Sequence, residues 1–90
     1  MTEITLNAQE WKSKGDFFIA YMTATQAPKW FGNNLDAFAD SLRGGICEIT
    51  PTKLSFINVG RSKKLLGDKF WKSIEEICKD EDVLFEIHVN

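Results

Sequence analysis

The sequence predicts an α/β domain in which a small three-stranded parallel sheet packs with about three to four helices. Short runs rich in Ile, Leu, Phe and Val open, divide and close the chain, at residues 2–7, 53–59 and 83–89. The stretches between them repeat apolar side chains at helical spacing. Strand, helices, strand, helices, strand is an order that favours parallel pairing through right-handed crossovers. Ninety residues leave room for one core, so the whole of 1–90 is expected to form a single domain.

Each element has its own signal. Residues 2–7 put Ile4 and Leu6 on one face of a first strand. Ser13, Lys14, Gly15 and Asp16 punctuate the chain, and Asp16 is the expected N-cap of a helix over 17–26, where Phe17, Phe18, Tyr21 and Met22 form a stripe. Pro28 stops that helix. Residues 30–34 read as a turn, after which Leu35, Phe38 and Leu42 mark a second helix, ended by Gly44 and Gly45. The second strand, 53–59, closes at Gly60 and leads to a short helix over 62–66. Asp68 is expected to cap a longer helix whose Phe70, Trp71, Ile74, Ile77 and Cys78 line one side. The third strand, 83–89, is nearly continuous in apolar character, which predicts a central or near-central place in the sheet.

Composition excludes several functions. Eleven Lys and Arg against thirteen Asp and Glu give a net charge of −2, which argues against direct nucleic-acid binding and fits a cationic partner better. The longest apolar run, 17–22, is too short to span a membrane, and no basic leader precedes it, so a cytoplasmic location is expected. Cys47 and Cys78 stand far apart with no second ligand at metal spacing, so they read as reduced and structural, with no cofactor or metal implied. His88, the only histidine, has no nucleophile placed by sequence beside it, and no pocket for acid/base work can be argued, so the chain is not read as an enzyme. The basic start 60–64 lacks the spacing of a phosphate loop. Residues 61–72 hold five bases and one acid and 75–86 hold six acids and one base, blocks that read as solvated faces.

One feature is harder to explain structurally. Between Lys29 and Arg43 the only charges are Asp36 and Asp40, four residues apart on the same face of the second helix and away from Leu35, Phe38 and Leu42. Like charges at that spacing repel, and Asp40 lies towards the helix end where the macrodipole disfavours an anion.

The run Trp30-Phe31-Gly32-Asn33-Asn34-Leu35-Asp36-Ala37-Phe38-Ala39-Asp40-Ser41-Leu42 resembles the signature of the barstar family of ribonuclease inhibitors. The resemblance covers nearly the whole chain. It implies a monomeric inhibitor inside the cell, an immunity or antitoxin role, and a cationic ribonuclease or nuclease toxin as partner. On this resemblance the loop at Trp30 and Asn34 and the helix with Asp36 and Asp40 enter the enzyme's cleft. Asp40 takes the place of an RNA phosphate, and Glu76 on the long helix adds an acid, with Glu75 adjacent and the register open by one. Ala39, Arg43 and Gly44 fall on the same surface. Ala39 stands where the family commonly has a large aromatic, Gly45 replaces another aromatic, and Arg43 puts a base at the rim. Phe31 is assigned instead to fastening the loop to the core. The alternative is a barstar-like module that regulates another basic protein or a nuclease toxin.

Overall fold

The computed structural model describes residues 2–89. In chain order they form β1 (Glu3–Asn7), α1 (Lys14–Thr25), α2 (Leu35–Leu42), β2 (Lys53–Ile57), α3 (Gly60–Leu66), α4 (Asp68–Asp80) and β3 (Leu84–Ile87). All pairing is parallel, in the order β1-β2-β3, with Ile4 opposite Leu54 and Leu54 opposite Phe85. The expected α/β architecture of a three-stranded parallel sheet with four helices is therefore present.

β1 alternates as a strand of a one-sided sheet should, while in the central β2 Ser55 is buried along with its apolar neighbours. Ile4 and Leu6 in β1, and Leu54 and Phe56 in β2, are buried. The opposite face of the sheet carries a charged row, in which Lys53 Nζ lies 3.7 Å from Glu3 Oε2 and 2.6 Å from Glu86 Oε2. Ser55 Oγ donates to Glu3 Oε2 at 2.9 Å within the same row. The Glu86 carboxyl is held below its ordinary pKa, first by the Lys53 hydrogen bond.

Three expectations are corrected. β3 is not central but an edge strand, shorter than the apolar run, and β2 holds the centre. Continuous apolar character arose differently: Val83 is buried before the strand begins, whereas Leu84 and Val89 are 57% and 62% exposed. Asp16 is not the N-cap of α1, since Ser13 occupies that position with extended backbone. The Asp16 carboxylate reaches back to accept from the Lys12 and Ser13 N–H groups at 2.7 and 3.2 Å, satisfying donors that the helix cannot. Those two backbone bonds, Lys12 first, lower its pKa. Asp68 is likewise the first residue of α4 rather than its cap. Gly67, at φ 93° and ψ 142°, ends α3 and starts α4 in one residue, a conformation that disfavours any side chain.

The core is aromatic and centred on α1. Phe17, fully buried, meets Trp11, Phe38 and Phe70 edge-on at 5.8, 5.4 and 5.7 Å between ring centres. Trp11 stacks on Trp71 at 6.1 Å, which fixes α4 against the segment after β1. α2 hangs on this cluster through Phe38, whose ring also stands edge-on to Tyr21 at 4.9 Å. No described helix is long and apolar enough to cross a membrane.

Candidate partner-binding face

α2 is short, eight residues, so its ends and its buried side decide whether it forms at all. Asn34 caps it: with extended backbone, its Oδ1 accepts from Ala37 N–H at 2.8 Å. Gly32 leaves room for that cap, because a Cβ there would lie 2.7 Å from the Asn34 amide nitrogen. Phe38, Ser41 and Leu42 are buried. With those positions facing the core, helix geometry turns Asp36 and Asp40 outward, and both are exposed. Gly44, at φ 93°, follows the helix; a Cβ would meet nothing closer than Thr50 Oγ1 at 3.8 Å, so backbone conformation rather than space favours glycine.

The two aromatics before the helix divide cleanly. Phe31 is 5% exposed and belongs to the core, as expected, while Trp30 is 75% exposed. The indole in water contributes little to the fold and is left available for contact.

The sequence residues are not all equivalent in the structure. Asp36, Ala39 and Asp40 share α2, and Arg43 follows as its C-cap, with Gly44 next. Trp30 and Asn34 belong to the loop that enters α2, and Asn34 spends its carbonyl on the cap. Glu76 is exposed on α4, the helix against which α2 packs. Glu75 lines a groove with Lys79, Leu84 and Phe85 beside β3, and one residue turns a helix by about 100°. Glu76 therefore lies off that groove, which separates the two acids that the sequence left in ambiguous register.

The charge pattern contains a partner that the sequence reading missed. Arg43 Nη1 donates to Asp40 Oδ1 at 2.6 Å and Arg43 Nε donates to Glu81 Oε2 at 3.1 Å, with Nη2 3.0 Å from the same Glu81 oxygen. Glu81 ends α4, so one guanidinium ties the C-terminal ends of two helices. Arg43 is raised above its ordinary pKa, chiefly by the hydrogen bond to Glu81. Asp40 thus has a counter-ion within its own chain that offsets its repulsion from Asp36 and its poor place in the helix dipole, whereas Asp36 makes no ion pair among the described residues. Spacing of three could have signalled the Asp40–Arg43 contact. No local signal joins Arg43 to Glu81, 38 positions away.

α2 and the loop before it present two exposed carboxylates and an exposed indole. They offer no reactive group. Cys47 and Cys78 are free and buried, and burial, followed by Glu75, pushes the Cys78 thiol up to about 12. His88 lies beyond β3, exposed, 3.0 Å from Glu86 Oε1. Among the described residues no three His, Cys, Asp or Glu are grouped to hold a metal ion.

A family model described as barstar (barnase inhibitor) matches residues 1–86. No curated protein matches the chain. Because that match takes in nearly all of the chain, including β1, β2, α2, α4 and all but the last residue of β3, the protein belongs to the barstar family, whose members are inhibitors and not enzymes.

Proposed function

We propose that this protein inhibits a cationic ribonuclease, inside the cell that makes or meets the enzyme, by inserting α2 and its preceding loop into the active-site cleft. The observation that carries this reading is that Trp30, in the loop before α2, and Asp36 and Asp40, on α2 itself, are all exposed while the other side of the helix is locked into the core. A rigid acidic ridge suits a basic cleft that ordinarily holds phosphates, and complementary charge speeds association as well as holding the complex. In this reading Asp40 takes a phosphate position, Asp36 and Glu76 meet flanking cations, and Trp30 stacks on the rim. Asn34 orients the loop, while Ala39, Arg43 and Gly44 shape the contact edge.

Inhibition is then stoichiometric and competitive with RNA, because ridge and substrate fill one cleft. Titration of a small cationic ribonuclease with the protein, at several RNA concentrations, tests this; a complex that still cleaves RNA at full rate overturns it. Association slows with salt as the Debye length falls from about 10 Å at 0.1 M to about 3 Å at 1 M. The alternative, a module that regulates a different basic protein, draws support from Arg43, a base on the acidic face. Binding to such a protein without any effect on ribonucleases distinguishes it.

A further inference from the structure

The cation nearest to Asp40 belongs to the protein itself. Arg43 holds Asp40 Oδ1 with Nη1 at 2.6 Å and Glu81 Oε2 with Nε and Nη2 at 3.1 and 3.0 Å. A guanidinium carries five donors in a planar fork, and these contacts use different parts of it. The two acids differ in accessibility: the Glu81 side chain is 19% exposed and the Asp40 side chain 54%. Asp40 can therefore withdraw towards a partner while Arg43 stays on Glu81, neither stranded nor released.

Such an exchange weakens binding to a basic cleft in two ways. Asp40 must give up one guanidinium to gain another, and Arg43, parked on Glu81, leaves a positive charge facing a positive surface. Arg43 also fixes the Asp40 side chain in advance, which acts in the opposite direction. That gain is small, because a short carboxylate side chain has little rotamer freedom to lose.

We propose that Arg43 is a specificity-determining residue, an internal competitor for Asp40 that admits only partners whose cleft offers several convergent cations and an acid within reach of Arg43. The exposed pair is worth little, so a weakly basic surface gains little by displacing Arg43. This inference rests on the reading that Asp40 enters a cationic cleft.

The test uses barnase, the ribonuclease for whose inhibition the family is named, as the probe. Dissociation constants and association rates are measured at fixed salt for the wild type, Arg43→Gln, Asp40→Ala and the double variant, with melting temperatures as a check on folding. Arg43→Gln should bind about tenfold more tightly than the wild type, and the gain should fall below about threefold in the Asp40→Ala background, because the competition acts through that carboxylate. Binding by Arg43→Gln alone supports the proposal equally. An unchanged or weaker Arg43→Gln complex overturns it and leaves the inhibitor reading standing, as does an equal gain in both backgrounds, which is long-range charge alone. If neither the wild type nor Arg43→Gln binds barnase, both the proposal and the reading beneath it fall.

Discussion

Tyr21 Oη and Ser41 Oγ lie 2.7 Å apart in the core, joining α1 to α2 one residue from Asp40. Ser41 Oγ also donates to Phe38 O at 2.6 Å, so the phenol is left as the donor to serine. Burial pushes the Tyr21 phenol above its ordinary pKa, and a protonated phenol is what this arrangement needs. The outward direction of Asp36 and Asp40 depends on this join and on Phe38, because they fix the rotation of an eight-residue helix.

The two partners should not be equivalent under substitution. Tyr21→Phe leaves Ser41 its bond to Phe38 and should cost about 0.5 to 1.5 kcal/mol. Ser41→Ala strands a buried phenol O–H and should cost about 1 to 3 kcal/mol. The double variant should cost less than the sum, since removing both groups leaves no orphan donor. Urea unfolding of the three variants measures this directly.

Trp30 and Phe31 are neighbours with opposite duties. Phe31→Ala should cost about 3 to 5 kcal/mol, the loss of a buried aromatic. Trp30→Ala should stay within about 0.5 kcal/mol of the wild type because its ring is in water. Inhibition should reverse that order once stability is allowed for, with Trp30→Ala weakening the complex as the loss of an aromatic anchor does. Trp30→Ala that inhibits at full strength would remove the loop from the proposed contact.

Acid should act on α1 through Asp16. Its folded pKa lies below the ordinary 3.8 because the carboxylate accepts from Lys12 and Ser13 N–H. The unfolded chain then takes up the proton first as pH falls. Stability from this group is complete above the unfolded value and is lost as pH drops through the folded one. Asp16→Ala should melt below the wild type at pH 7, and the gap should narrow below about pH 4. A constant gap across that range would show that the carboxylate charge is not involved.

What was legible in the sequence follows from periodicity. Ile4 and Leu6, or Phe70, Trp71, Ile74 and Cys78, repeat at strand and helix spacing, and burial obeys the pattern. The misreadings share a different cause. The apolar run ending in Val89 could not say which strand would lie between the others, because edge or centre is decided by pairing across the chain. Ser13 and Asp16 are both capping residues, and only backbone geometry tells the cap from the residue that reaches back to it. The exposed side of α2 and of its preceding loop was legible because those residues are contiguous, from Trp30 to Gly44. Glu81 was not, since its contact with Arg43 exists only after α4 packs against α2.

The two helix acids separate fold from recognition. Asp40→Ala removes a like-charge neighbour of Asp36 and an anion from an unfavourable dipole position, and it introduces the best helix former. It also removes one of the two carboxylates on Arg43, an exposed contact that leaves Glu81 in place. These effects are small and of opposite sign, so the melting temperature should move by no more than about 4 °C. Asp36→Ala breaks no ion pair among the described residues but gives up a favourable place near the helix N-terminus, and its shift should be equally small. Inhibition should behave differently. A cleft that closes without the Asp40 carboxylate buries its cations unpaired, which for buried charge pairs in general costs roughly 2 to 5 kcal/mol in binding, a barstar-family complex being one worked case of such charge pairing. Asp36→Ala should weaken inhibition by less if Asp36 meets cations nearer the rim. Paired measurement of melting temperature and inhibition constant on both variants decides the matter. If Asp40→Ala lowers melting by more than about 8 °C while inhibition is intact, then Asp40 and Arg43 serve the fold, and the contact face lies elsewhere on the molecule.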